Sequence, residues 1–197
     1  MSLFYVYMQL GFGHITDYQA FDHILFIVTL TAVYLLSDWK KVLILVTAFT
    51  VGHTATLALS TLNILSIDSA IVEFLIPLTI FITAVGNIFE KNTDFSSQLH
   101  NFKYITALIF GLIHGLGFSN YLKSLLGMEQ SLVKPLFAFN LGLEIGQVII
   151  VVVILIASSI AVKQLQIKKR EWTLVLSGAG LGVSVLLMLE RFIELSN

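Results

Sequence analysis

The sequence predicts an all-α membrane protein built as a bundle of spanning helices. Hydrophobic residues make up 57% of the 197 positions and charged residues only 12%, whereas soluble domains carry about 25% charged residues. Mean hydropathy is +0.92. Apolar stretches close to the ~20 residues that a helix needs to cross a bilayer recur along the chain. We therefore expect one integral-membrane domain over residues 1–197, with lipid around it.

The composition also excludes several classes of protein. The chain has no cysteine, so disulfides and thiolate metal ligands are excluded and any metal site must use nitrogen and oxygen ligands. The net charge is −1 and no basic tract is present, so nothing indicates a nucleic-acid partner. The N-terminal stretch MSLFYVYMQL lacks a positive region and a small-residue cleavage site. We expect it to belong to the mature protein.

The first element is a short apolar segment, residues 1–18, which Gly11 and Gly13 interrupt. It is too short to span a bilayer, so we predict an interfacial or re-entrant segment over the mouth of the bundle. Six transmembrane helices are predicted after it. They run from about Ala20 to Leu36, Val42 to Thr61, Ala70 to Phe89, Tyr104 to Leu126, Pro135 to Val162 and Trp172 to Ile193.

The basic residues alternate from loop to loop. Eight of the 11 lie in the loops that follow the first, third and fifth predicted spans, for example Lys40, Lys41 and Arg170. The positive-inside rule places those three loops in the cytoplasm and both termini outside it.

Ionisable side chains lie inside or at the mouth of the apolar stretches. An unpaired ionisable group in lipid costs about 2.5 kcal/mol or more, so such residues indicate function by default. A rise of about 1.5 Å per residue places them all in the outer half of the membrane. We predict that they line one outward-facing polar cavity and bind one metal. The predicted ligands are His14, Asp22, His23, His53, His114 and Glu144.

Any one of these histidines alone is more typical of a hydrogen-bonded core residue, and it is the set that indicates a metal. Imidazole and carboxylate suit Zn, Ni, Co or Fe(II). Asp22 and His23 are about 100° apart on a helix, so one of them could orient the other rather than bind. Asp17 fits a metal ligand and the N-cap residue of a helix equally well. The predicted supporting residues are Asp17, Asn140, Gln147 and Glu190; Asn140 and Gln147 share a helical face with Glu144.

Three glycine pairs have the GxxxG spacing, which lets helix backbones approach closely. His114 lies inside the pair Gly111 and Gly115, and Glu144 lies inside the pair Gly142 and Gly146. We predict that the fourth and fifth spans approach each other and bring these two side chains together. A third pair, Gly178 and Gly182, lies in the last span. Such faces could also support a homo-oligomer.

Four ordered motifs resemble one family. GFGHITDYQAFDHILF, LVTAFTVGHTATLAL, FGLIHGLGFS and FNLGLEIGQ are similar to signature segments of the HupE/UreJ family, bacterial membrane proteins associated with hydrogenase and urease maturation. The resemblance implies a multi-pass inner-membrane protein that moves or binds nickel or a related divalent cation. It places the family's polar motif positions on His14, Asp22, His23, His53, His114, Asn140, Glu144 and Gln147.

Three functions are compatible with these residues. The first is a divalent-cation transporter, although stretches such as VIIVVVILIA show no polar exit path. The second is an intramembrane metal-dependent hydrolase, in which a carboxylate acts as general base beside an open metal position; the HExxH pattern is absent. The third, a haem protein with two axial histidines, fits the accompanying carboxylates least well.

Overall fold

The computed structural model describes residues 2–18, 21–90, 97–126 and 132–196, and this part of the chain is helical, as predicted. A single 3₁₀ turn, Leu36–Asp38, precedes the third α-helix. The α-helices are α1 Leu3–Thr16, α2 Asp22–Thr31, α3 Trp39–Thr61, α4 Ser69–Phe89, α5 Ser97–Gly117, α6 Ser119–Leu126, α7 Val133–Lys163 and α8 Lys169–Ser196.

The helices pack mainly in three pairs, α3 with α5, α1 with α7, and α4 with α8. We call the end where α4 finishes and α8 begins the basic end, and the opposite end the site end. At the basic end, the guanidinium of Arg170 donates to the backbone carbonyls of Asn87, Ile88 and Glu90. It thereby satisfies carbonyl groups that the last turn of α4 leaves without a helical partner.

α1 runs beside α7 and in the same direction. The rings of Phe4 and Phe137 lie 6.3 Å apart, and farther along both helices Ile15 lies at Gly146. The backbones approach so closely that a Cβ on Gly11 would overlap the carbonyl oxygen of Phe139. α1 therefore enters the bundle rather than lying across its mouth, which favours the re-entrant option for the N-terminal segment.

Four helices of the described chain are long and apolar enough to cross a membrane: α3 with the turn before it, α4, α7 and α8. The prediction of six spans is not confirmed. The first predicted span contains only the 10-residue α2, about 15 Å long. The fourth is divided at Phe118 between α5 and α6.

α2 ends inside the bundle. Side chains from other helices donate to backbone carbonyls that a longer helix would use for its own hydrogen bonds. The Nδ2 of Asn87 donates to the carbonyl of Thr29 at 2.7 Å, and the Oγ1 of Thr173 donates to the carbonyl of Ala32 at 3.1 Å. Non-helical backbone is tolerated at membrane depth where it is buried in protein.

The glycines allow close contact between pairs of helices other than the predicted pair. A Cβ on Gly111 would overlap the carbonyl of Phe49, and one on Gly115 that of His53, so both serve the α3–α5 contact. Gly142 instead faces the carbonyl of Met8 on α1. The prediction that the fourth and fifth spans approach each other through these pairs is therefore wrong. Gly178 and Gly182 have no heavy atom within 4 Å of a built Cβ.

Candidate metal centre

Three histidines from three helices meet at one point. His14 lies in the last turn of α1, His23 is the second residue of α2, and His53 lies in the second half of α3. One ring nitrogen of each lies within 4.8 Å of those of the other two, near enough for small side-chain rotations to bring all three to one ion. We call these residues the histidine triad. His53 is fully buried, His23 is buried and His14 is half-buried.

The triad holds ring nitrogens without hydrogen-bond partners among the described residues: the Nε2 atoms of His14 and His23 and both nitrogens of His53. Buried polar atoms are nearly always hydrogen-bonded, so each exception calls for an explanation. A divalent cation would supply one, because imidazole nitrogens are good ligands for Zn, Ni, Co and Fe(II). The donor set therefore fits a metal ion.

Asp22 sets the orientation of His23. Its Oδ1 accepts a hydrogen bond from the backbone amide of His23 at 2.8 Å and from Nδ1 of the same ring at 2.9 Å. A proton on Nδ1 leaves the lone pair on Nε2, the nitrogen that is buried without a hydrogen-bond partner among the described residues. A carboxylate in this position fixes both tautomer and ring direction of a ligating histidine. Of the two roles left open for Asp22, the geometry favours orientation.

His114 lies next to the triad, and its Nδ1 is buried without a hydrogen-bond partner among the described residues. Its ring centroid is 5.0 Å from that of His23, and its Nε2 is 3.0 Å from the Oγ1 of Thr79 on α4. Phe26 and Phe49 lie against it on the side of the basic end, each 5.1 Å away between ring centroids. His114 thus stands between the triad and an aromatic layer.

Two polar residues of α7 lie against α3, and both belong to the helical face that the spacing predicts. Gln147 accepts from the hydroxyl of Thr50, and Glu144 accepts from that of Thr47, both at 2.8 Å. Thr47 precedes His53 by six residues, about 9 Å along the helix. The structure therefore places Glu144 away from the triad rather than beside His114.

Asn140 is the α7 residue that does adjoin the site. Its side chain lies near that of His53, and its Oδ1 is buried without a hydrogen-bond partner among the described residues. Its Nδ2 is used locally, donating to the carbonyl of Leu136 at 2.8 Å.

The two remaining predicted residues lie nearer the surface. Asp17 is exposed and is the C-cap residue of α1, and the N-cap residue of the following helix α2 is Phe21, so the N-cap role predicted for Asp17 is wrong. Glu190 is exposed and lines a cavity of about 350 Å³ at the site end, together with Asp22, Glu73 and Arg191. Arg191 pairs with Glu73 at 3.2 Å across this cavity. Because Asp22 forms part of the lining, the cavity reaches the edge of the triad.

Some residues of the site were not predicted. Thr79, which holds His114, carries no signal because threonine is common in apolar helices. Phe118 lies against His14 at 3.9 Å between ring centroids and is stacked on Phe139 at 5.0 Å. Its position at the end of the FGLIHGLGFS motif could have indicated that it belongs to the site.

A family model described as HupE / UreJ protein matches residues 1–191. The chain belongs to the HupE/UreJ family. No curated protein and no solved structure matches it. Together with its four apolar helices, the family match makes this HupE/UreJ protein a multi-pass membrane protein. The matched range contains the whole histidine triad and Asp22.

Proposed function

We propose that this protein binds a divalent metal ion at the histidine triad and transports it across the membrane. The observation that carries the proposal is the meeting of three imidazoles from three separate helices, with ring nitrogens that have no other partner among the described residues. Nitrogen ligands without thiolate suit an ion that must leave again, because a transport site has to be weak enough to release its cargo.

The identity of the ion and the orientation of the protein are parts of the same proposal. The family resemblance favours nickel, while the ligands alone would also accept zinc, cobalt or Fe(II). Lys41, Lys103, Lys163 and Arg170 lie at the basic end. By the positive-inside rule that end faces the cytoplasm, so the site end and both termini face the other side of a bacterial inner membrane.

Metal binding is tested on detergent-purified protein by elemental analysis and by titration with Ni²⁺ and Zn²⁺. We expect about one ion per chain in the wild type, in line with a site of three protein ligands. His53→Ala should lose it, because the substitution removes one of the three imidazoles that meet at the site. His114→Ala is the matched comparison: it should still bind one ion, because His114 is not among the three imidazoles whose nitrogens meet. No metal in the wild type under any condition would overturn the proposal.

A second candidate, an intramembrane metal-dependent hydrolase, is favoured by one observation. The cavity at the site end adjoins Asp22, so a metal on the triad would have an approachable fourth position with a carboxylate nearby, the arrangement that activates water in zinc enzymes. Chelator treatment separates the two candidates. A resident catalytic metal survives purification and brief exposure to chelator, whereas a transported ion washes out and rebinds.

A further inference from the structure

A second cavity, of about 360 Å³, lies at the basic end between α4 and α5. It follows the last part of α4 from Ile82 to Glu90, about 12 Å of helix. Its rim opens to the membrane, because Phe89 on α4 and Phe102 on α5 expose 77% and 66% of their surface. An apolar cavity of about 150 Å³ is already large enough to bind a small hydrocarbon. This larger cavity, open to lipid, therefore has room for part of a hydrocarbon chain.

The polar groups that line this cavity are already bonded within the protein. The hydroxyls of Thr83 and Thr106 each donate to a backbone carbonyl of their own helix, at 2.8 and 2.9 Å. The amide of Asn87 donates to the carbonyl of Thr29 at 2.7 Å. The apolar part of the lining consists of Leu30, Ile82, Phe89, Phe102 and Phe110 together with Gly86. Such a surface favours hydrocarbon over water.

Charged side chains gather where the cavity meets the basic end. The Nζ of Lys103 pairs with the Oε2 of Glu90 at 2.8 Å, and both side chains are more than four-fifths buried. The guanidinium of Arg170 lies beside them and donates to the carbonyl of Glu90. Lys169 lies near Lys103 and has no ion pair with any residue that the structure describes. Three cations and one carboxylate leave these four residues with a net positive charge.

We propose that this cavity binds one anionic phospholipid, with an acyl chain between α4 and α5 and the phosphate beside Lys169 and Arg170. The chain fills space that neither helix fills and keeps the two helices together. Basic pockets between membrane helices bind anionic headgroups, and lysine and arginine are the usual phosphate ligands. This inference does not depend on metal transport.

Two other occupants of the cavity fit its chemistry less well. Water would find little to bind, since the lining atom without a hydrogen-bond partner among the described residues, Oε1 of Glu90, is itself buried. A side chain from a second copy of the protein would fill only part of a groove about 12 Å long. The groove joins an apolar surface to a cationic end, and an anionic phospholipid joins the complementary groups in one molecule.

Lipid binding is measured by native mass spectrometry of the detergent-purified full chain, mixed with phosphatidylglycerol or with phosphatidylcholine that has the same acyl chains. We expect the wild type to retain one phosphatidylglycerol with about tenfold higher affinity than phosphatidylcholine. Gly86→Trp should lower the affinity for both lipids about tenfold, because the indole takes the apolar space of the chain. Gly86 lines the cavity, and a built Cβ there meets nothing within 4 Å.

The matched control is Gly182→Trp on α8, where a built Cβ also has open space but lines no part of this cavity. It should retain phosphatidylglycerol as the wild type does. Equal retention by Gly86→Trp and Gly182→Trp would overturn the inference. A dimer that Gly86→Trp dissociates, with the lipid count unchanged, would assign the cavity to a second copy and would also overturn it.

Lys169→Gln tests the headgroup separately and keeps the inference testable if Gly86→Trp does not fold. It should weaken phosphatidylglycerol about fivefold, which corresponds to about 1 kcal/mol, and leave phosphatidylcholine unchanged. The control is Lys163→Gln at the end of α7, which lines no part of the cavity. Equal affinity of the wild type for the two lipids would contradict an anionic ligand.

Thiol labelling shows whether the cavity holds water. The chain has no cysteine, so Thr83→Cys is a single reporter inside the cavity. In membrane fragments open on both sides, we expect it to resist a membrane-impermeant methanethiosulfonate reagent, whereas Gln164→Cys, exposed at the end of α7, should react. Reaction of both thiols at similar rates would mean a wet cavity and would overturn the inference. None of these measurements requires a bound metal, so their failure would leave the proposed function of the triad as it stands.

Discussion

Asp22 is the residue on which the geometry of the triad depends most directly, because it holds the ring of His23 by Nδ1. We predict that Asp22→Asn lowers metal affinity about 10- to 100-fold, the usual effect of removing a group that orients a ligand. The stoichiometry at saturating metal should remain that of the wild type, since all three imidazoles are kept. Titration calorimetry measures both quantities.

The control for Asp22→Asn is Asp17→Asn, which removes a neighbouring negative charge at an exposed position. It should leave affinity within about twofold of the wild type, because exposed charges act weakly through water. Equal losses in the two variants would mean that general electrostatic attraction, and not ring orientation, is the role of Asp22.

A substitution of Glu144 tests whether this predicted ligand binds the metal. Its Oε1 accepts from Thr47, away from the triad, so Glu144→Gln should reduce metal affinity less than Asp22→Asn does. The amide oxygen can still accept that hydrogen bond. A loss as large as that of His53→Ala would show that Glu144 moves to the ion when it binds.

The sequence predicted residues of the site where their depth in the membrane could be counted. Counting residues from the ends of the spans placed His53 and His114 at similar depth, and both lie at or beside the site. Counting does not tell which way a helix is rotated or which helices are neighbours. Glu144 was expected beside His114 because both lie inside GxxxG pairs, but Gly142 packs against α1 and α7 turns Glu144 towards α3.

The elements that build the site depend on backbone contact between α1 and α7. A Cβ on Gly11 would overlap the carbonyl of Phe139, so we predict that Gly11→Ala pushes α1 away from α7 and moves His14 out of the triad. Overpacking of this kind costs about 1–3 kcal/mol. Thermal unfolding in detergent should show the loss of stability, and metal titration the loss of affinity.

Gly13→Ala is the matched control, two residues farther along α1, where a built Cβ meets nothing within 4 Å. It should be neutral or slightly stabilising, because alanine favours the helix over glycine by about 1 kcal/mol. If Gly13→Ala were as harmful as Gly11→Ala, helix flexibility and not the α1–α7 contact would be what the glycines provide.

The long helices were easier to predict than the interrupted ones. The second and third predicted spans correspond closely to α3 and α4, because continuous apolar stretches bounded by polar residues have few other solutions in lipid. α2 is different: its end at Thr31 depends on side chains of Asn87 and Thr173, far away in the chain. The residues around Thr31 do not indicate such distant partners.

At the scale of the whole molecule, charge differs between the two ends in a way that suits a path for cations. The site-end cavity includes Asp22, Glu73 and Glu190, with Arg191 as the cation among its lining residues. Negative charge at an entrance concentrates cations. A cavity at the basic end, between α4 and α5, is lined by Lys103, which pairs with Glu90. Between them lie His114 and the rings of Phe26 and Phe49.

The proposed orientation, which rests on the basic residues of the basic end, has its own test. We predict that Ser2→Cys, at the start of α1, reacts with an impermeant thiol reagent applied to intact cells permeable only at the outer membrane. Gln164→Cys, at the end of α7, should react only after the inner membrane is opened. The reverse pattern would place the triad on the cytoplasmic side and contradict uptake from outside.

α8 carries a glycine pair at which a built Cβ meets no atom of the described residues within 4 Å, which makes it a candidate surface for self-association. Gly178 and Gly182 are exposed with open space around a built Cβ, and helices in lipid associate where small residues allow backbones to approach. We predict that Ala179→Cys, exposed between them, forms a disulfide-linked dimer in membranes. Adding Gly178→Leu and Gly182→Leu should abolish the crosslink without changing metal binding, because α8 supplies no residue of the triad. Persistence of the crosslink in the leucine variant, or its absence in the parent at low protein-to-lipid ratio, would show that each chain works alone and that these glycines face only lipid.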